Sequence, residues 1–288
     1  MFQLGFNTNG LAHHRLDEAL TLVADLGYQA LALTPDVGHL DPFRSSPAER
    51  RTVRNQARDL GLALVIETGA RFLLDPRKKH FPTLLEDEAT DRTRRLQFLL
   101  RCADLAVDLG APLVSIWSGA APTGITSETD SDESERCWER LTRGIEELLG
   151  EFGSRGIALA FEPEPGMFIE RPAGFFELRE RLGACGDGLG LTLDLGHLLC
   201  TEEGPPESAI LQAGPCLANV HLDDIRDGVH RHRLFGEGDI DLKSVLKALV
   251  ETGYSGVASV ELSRDSHRGA WVAAEAMKRI RQALGSSS

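Results

Sequence analysis

Neither a C-x-x-C pair nor any cluster of cysteines occurs in this chain. Its cysteines (Cys102, Cys137, Cys185, Cys200 and Cys216) are odd in number and far apart. A disulfide framework or a cysteine-built zinc site is therefore not expected, and the thiols read as free side chains in a reducing compartment. No stretch approaches the ~18 continuous apolar residues of a membrane span. The opening MFQLGFNTNG has neither the basic region nor the long apolar run of a secretory signal. Positive charge is in the minority: 31 Lys and Arg stand against 44 Asp and Glu, a net charge of −13. Such a chain repels a phosphate backbone, which argues against a nucleic-acid partner. The first strand candidate is followed by FNTNGLAHH, with no G-x-G-x-x-G, so the fingerprint of a dinucleotide-binding sheet is missing. These absences leave the expectation of a soluble, cytoplasmic protein with neither a membrane nor a nucleic acid as partner.

What the sequence does have is a repeated phrase. A helical stretch, a glycine and a short β-rich run recur at DLGYQALALT (25–34), DLGLALVIET (59–68), DLGAPLVSIW (108–117), SRGIALAFEP (154–163), GDGLGLTLDL (186–195) and ETGYSGVASVEL (251–262). QLGFN (3–7) and LANVHLDD (217–224) complete eight strand candidates. Amphipathic stretches fall between them, at 16–27, 47–60, 93–110, 133–153, 173–183, 206–213, 241–252 and 270–284. In the third of these, Leu96, Leu99, Leu100, Ala103 and Val107 share one face. A glycine at the end of each helix suits a left-handed C-cap, and near-continuous apolar strands suit a parallel sheet covered on both faces. The alternation predicts an α/β fold: one (β/α)₈ barrel over residues 1–284 with an outer ring of helices, and a disordered tail at 285–288. Two connections, about 67–90 and 118–131, are long enough to cover a site.

Active-site groups of such a barrel project from the C-terminal ends of its strands. Strand 1 ends at Asn7, strand 3 at Glu67 and strand 4 at Trp117. Strand 5 ends in Glu162 and Glu164, strand 6 in Asp194 with His197 three residues on, strand 7 carries His221, and strand 8 ends at Glu261. Consecutive staves thus present Glu162, Asp194, His221 and Glu261 at one rim. Three carboxylates so close repel one another, and a divalent cation relieves the repulsion. Three oxygens and an imidazole suit Mn²⁺, Mg²⁺, Co²⁺ or Zn²⁺ without choosing among them.

In the order and strand-end placement of FEPEPG, LDLGH, VHLDD, GEGDID (236–241) and VELS, the chain resembles the xylose isomerase-like barrel superfamily of sugar and sugar phosphate isomerases and epimerases, which also holds inosose dehydratases and endonuclease IV. The resemblance covers nearly the whole chain. It implies that Glu162, Asp194, His221 and Glu261 bind one metal ion, Mn²⁺ above the others. It further implies that Glu162 and Glu261 move a proton next to a carbonyl through a metal-stabilised ene-diolate. His197 and His232 then contact substrate, and His230 forms an H-x-H pair with His232. Trp117 offers an apolar wall, and Glu164, Glu67 and Asn7 complete the substrate-binding candidates. Endonucleases of this family carry zinc-binding His at the ends of strands 3 and 4, where this chain has Glu67 and Trp117. Tagatose-type epimerases carry Arg six residues after the strand 7 His, where this chain has Asp227 beside Arg226.

The expected activity is a metal-dependent isomerase or epimerase of a sugar, sugar phosphate or polyol. A lyase of the inosose dehydratase or C-glycoside-cleaving type uses the same proton abstraction and stands as the alternative. A non-catalytic sugar-binding barrel is the reading outside enzymology, and paired carboxylates argue against it. The basic loop with Arg71, Arg77, Lys78, Lys79 and His80 reads as a solvated loop, an oligomer contact or a site for a phosphate or carboxylate. Asp265 and His267 are candidates for the pocket rim, and the resemblance implies a homo-oligomer.

Overall fold

A computed structural model describes residues 2–201 and 204–285. Eight parallel strands follow one another around a closed barrel: β1 (Gln3–Asn7), β2 (Ala30–Leu33), β3 (Ala63–Glu67), β4 (Leu113–Ile116), β5 (Ala158–Phe161), β6 (Leu189–Asp194), β7 (Leu217–Leu222) and β8 (Val257–Val260). The eighth pairs with the first through Gln3 opposite Val257 and Phe6 opposite Val260. Helices α1 (Leu16–Asp25), α2 (Pro47–Asp59), α3 (Ala89–Leu109), α4 (Asp132–Ser154) and α5 (Pro172–Arg181) pack outside, followed by α6 (Leu195–Thr201), α7 (Pro206–Ala213), α8 (Leu242–Glu251) and α9 (Gly269–Ala283). The repeated phrase has a local cause. Gly110 ends α3 with φ of 74°, a left-handed turn that sends the chain straight into β4. The expected tail lies, past Gly285, outside the described residues.

The two apolar layers follow from strand alternation. Outward-facing strand residues such as Leu31, Leu33, Ile66 and Val114 meet the buried faces of the helices in one large core. Inward residues are mostly smaller: Ala30, Ala32, Val65, Leu113, Ala160 and Val257 fill the barrel axis. Above them lies a fully buried polar layer of Ser115, Thr192, Asn219 and Ser259. Within it the Ser115 and Thr192 hydroxyls bond across the barrel at 2.7 Å. This layer is the floor on which the charged strand ends stand.

Three features depart from the expectation. A short helix, α6, begins at once after β6, where the leucine-rich LDLGHLLC gave no sign of a change of conformation. The connection from β7 to α8, 223–241, is also long, longer than the one anticipated after β4 and shorter than the one after β3. The inward face of α3 is also turned from the one its leucines suggest. Val107 is exposed and Arg95 is buried, because the Arg95 guanidinium stacks 4.5 Å from the Trp117 ring and donates to the Thr68 carbonyl at 3.1 Å.

Candidate active site

Register brings the four strand-end groups together. Asp194 closes β6 directly opposite His221 of β7, and His221 lies opposite Ser259 of β8. Glu162 and Glu261 each follow the last residue of their strand, and their N–H groups donate to Ile116 and Leu222 on the preceding staves. The result has one centre, His221 Nδ1. It lies 3.0 Å from Glu261 Oε2, 3.1 Å from Glu162 Oε1 and 3.8 Å from Asp194 Oδ2. Asp194 and His221 are almost wholly buried, at 2% and 1% exposure, so water does not screen them.

Each of these groups has a support. His221 Nε2 lies 3.0 Å from Glu67 Oε1, which also accepts from Asn219 Nδ2 at 2.9 Å. With the Nε2 proton given to Glu67, the Nδ1 lone pair faces the three carboxylates, as a ligand nitrogen requires. Asn9 Nδ2 donates to Glu261 Oε1 at 2.7 Å. Asn7 Oδ1 accepts from the Asn9 N–H and the Thr34 hydroxyl and so fixes the turn that carries Asn9. The His197 N–H donates to Asp194 Oδ1 at 2.9 Å, while Asp194 Oδ2 is buried with no hydrogen-bond partner. A buried carboxylate oxygen left without a donor is costly. Beside an imidazole nitrogen and two further carboxylates it has the environment of a cation ligand, so the residues present fit a divalent ion.

Three histidines stand over this group. His197 and His230 bring their Nε2 atoms within 3.0 Å, and His197 Nδ1 lies 3.6 Å from Glu162 Oε1. His232 Nδ1 lies 2.6 Å from Asp223 Oδ2, a carboxylate buried beneath α6. The adjacent Asp224 does different work. Its carboxylate accepts from the N–H groups of Gly236, Gly238 and Ile240 and knots the loop that presents His230 and His232. A Cβ at Gly238 would meet Asp224 Oδ1 at 2.2 Å, which gives the GEGDID segment its second glycine.

The electrostatics follow from burial and crowding. Although burial opposes a charged imidazole, the carboxylates of Glu67, Glu162 and Glu261 hold His221 well above the ordinary histidine range. Asp223 outweighs burial at His232 and raises it to about 10. Burial and the His232 charge push His230 down to about 4, and the same two causes hold His197 well below its usual value. Among the carboxyls, burial raises Glu162, Asp194 and Glu164, the last to about 8. Glu261 goes the other way: burial is outweighed by His221, His232 and His197.

These groups open into one cavity of about 380 Å³, within the range of small-molecule sites. Asn7, Glu67, Trp117, Glu162, Glu164, His197, His221, His230, His232 and Glu261 all line it, while Asp194 lies just beneath. The Trp117 wall is backed by Arg95 on its face and met edge-on by His80 at 5.3 Å. Of the basic loop, Arg71, Lys79 and His80 reach the cavity; Arg77 and Lys78 instead cap Asp75 through their N–H groups. Asp265 does not reach the cavity and pairs with Arg268 at 2.8 Å; Ser263, Arg264 and Ser266 line it there. Sequence reading missed Asn9, Asn219 and Thr34, whose partners are remote in the chain. The sequence places Asp223 and Asp224 with His221 at the end of strand 7 but gives neither a role; Asp223 is the partner of His232.

Residues 20–283 match the family described as the xylose isomerase-like TIM barrel. The chain belongs to that family. It is 26% identical over 252 residues to L-ribulose-5-phosphate 3-epimerase UlaE of Salmonella heidelberg (strain SL476), covering 84% of this chain and 80% of that protein. The match to the rhizopine catabolism protein MocC of Rhizobium meliloti is 26% over 148 residues, spanning 46% of this chain and 44% of that protein. Inosose dehydratase of Serratia proteamaculans (strain 568) is 28% identical over 151 residues, 46% of this chain and 50% of that protein. Among solved structures, an L-ribulose 3-epimerase superposes with a TM-score of 0.78 at 20% identity, over 99% of this chain and 95% of that one. A D-psicose 3-epimerase gives 0.75 at 19% identity, over 99% and 100%. At such identities these structures speak to the fold. All five thiols are free, and among the described residues no helix is long and apolar enough to cross a membrane.

Proposed function

We propose that this protein is a divalent-metal-dependent sugar epimerase or isomerase that moves a proton at a carbon next to a carbonyl. The observation that carries the reading is the convergence of Glu162, Asp194 and Glu261 on His221 Nδ1 within 3.8 Å. Those four residues would hold the ion, with Mn²⁺ favoured and Mg²⁺, Co²⁺ or Zn²⁺ also suited to three oxygens and one imidazole. A cation bound there supplies Lewis-acid polarisation of the substrate's oxygens. The chain supplies the proton transfer. Glu162 and Glu261 stand on staves separated by β6 and β7, so a substrate over His221 has a carboxyl on either side. His197, His230 and His232 would orient substrate hydroxyls, and Trp117 would cover an apolar sugar face and exclude water.

Epimerase names among the relatives that span most of the chain support this reading over a dehydratase. The inosose dehydratase matches, which cover about half of the chain, support the lyase as second reading. Both begin with the same proton abstraction. They separate when the purified, Mn²⁺-loaded protein is incubated in D₂O with a panel of ketoses, ketose phosphates and inososes. Deuterium entering a ketose without loss of water is the expected result. Loss of water from an inosose without ketose exchange would reject the epimerase. Exchange that persists in Glu162→Gln or Glu261→Gln would remove that residue from its role.

A further inference from the structure

We propose that the substrate of this site carries an anionic group, a phosphate or a carboxylate, held by Lys79 and Arg264 at the mouth of the cavity. The inference rests on the sugar-epimerase reading above and adds the class of substrate to it.

The observation is a segregation of charge. The cavity floor is the carboxylate group around His221, whereas Arg71, Lys79 and Arg264 line the mouth. They come from two segments remote in sequence, the loop after β3 and the turn after β8. Arg71 is already engaged, 3.2 Å from Asp36 Oδ2 and bonded to the Asn9 carbonyl. Among the described residues Lys79 and Arg264 have no carboxylate within ion-pair distance. Both line the same cavity, and after burial the Arg264 charge is the main cause disfavouring the Lys79 ammonium, with Glu164 acting the other way. Two cations left beside one another in a chain of net charge −13 oppose each other unless an anion joins them. Ser263 and Ser266 add hydroxyl groups to the same lip.

The loop is also built to hold Lys79 there. The His80 N–H bonds to the Arg71 carbonyl at 2.6 Å and closes 71–80 into a neck. Ala70, Arg71 and His80 take left-handed φ of 54°, 40° and 65° to make it. Non-glycine residues enter that region at a cost, and such strain gathers where a binding geometry needs it. A neutral sugar requires no cation at the mouth. An anionic one approaching an acidic floor does, because the cations offset the repulsion and fix the far end of the molecule.

The test measures kcat/KM of the Mn²⁺-loaded enzyme on a ketopentose 5-phosphate, a ketose bearing a terminal carboxylate and the parent neutral ketopentose. Wild type is expected to prefer one of the anions over the neutral sugar by at least about a hundredfold, and the preferred one identifies the group. Lys79→Met/Arg264→Met is expected to lower that ratio at least tenfold, as loss of charged hydrogen bonds requires. A ratio below about threefold in wild type, or one unmoved in the double variant, overturns the proposal. If no sugar is turned over, the epimerase reading has failed and the subsite is read by itself through equilibrium dialysis of the metal-loaded protein against sulfate. Binding at least tenfold tighter in wild type than in the double variant sustains it, and equal binding overturns it.

Discussion

The Nε2 of His221 lies 3.0 Å from Oε1 of Glu67, although 154 residues separate them in sequence. The contact directs the opposite nitrogen of the ring at Glu162, Asp194 and Glu261. Glu67→Gln keeps the shape but removes the charge that favours the Nε2 proton. Outer partners of ligand histidines typically contribute 10–100-fold in metal affinity. Competition with a fluorescent chelator should show Mn²⁺ binding at least about tenfold weaker in this variant, with a melting temperature close to wild type when metal is removed from both.

Chelation should destabilise the protein. An ion that binds only the native state at a hundred times its Kd contributes about 2.7 kcal/mol, and a domain of this size shifts by a few degrees per kcal/mol. EDTA is therefore expected to lower the melting temperature by roughly 5–10 °C, reversed by excess Mn²⁺. Asp194→Asn should abolish the response. A metal-insensitive wild type would contradict the ligand assignment.

Gly196→Ala tests how tightly α6 packs on the loop below. Alanine in place of a helical glycine normally adds about 1 kcal/mol. Here the new Cβ would meet Asp223 Oδ1 at 2.0 Å, so the sign should reverse, with a loss on the order of 1–3 kcal/mol by chemical denaturation. Adding Asp223→Ala should recover part of that loss, since the two changes share one contact.

Acid should weaken the fold through a histidine outside the metal group. Burial, then the charge of Lys79, lowers His80 from 6.5 to about 4. The unfolded chain takes up the proton first, so stability is full above about pH 6.5 and falls as pH drops through the window down to about 4. His80→Phe keeps the edge-on contact with Trp117 and should flatten the melting temperature between pH 7.5 and 5.5 relative to wild type.

Much of this arrangement was legible because a parallel barrel repeats one unit. The glycine and the apolar run of the repeated phrase placed six of the strands, the apolar runs at 3–7 and 217–224 placed the other two, and strand ends placed Glu162, Asp194, His221 and Glu261 on one rim. What the repeat carries no information about are contacts between distant staves. Asn9 reaches Glu261 across 252 residues, and neither residue type nor spacing signals it. Helix α6 was hidden for another reason: in LDLGHLLC leucines run through both the strand and the helical part, so no change of period marks the boundary. The turned face of α3 was hidden because a buried arginine reads as solvent-facing until its aromatic partner, Trp117, is known.

The ligand candidates all come from β5 to β8, whereas the side chains that brace them, Asn9 and Glu67, come from the first half of the barrel. Aiming the ligand set therefore draws on both halves. A fragment beginning near Gly156 would carry every donor atom for the ion yet lack the struts that aim two of them. Mixed with the complementary piece, it should regain tight metal uptake only as the halves reassemble, making cation affinity a direct reporter of barrel closure.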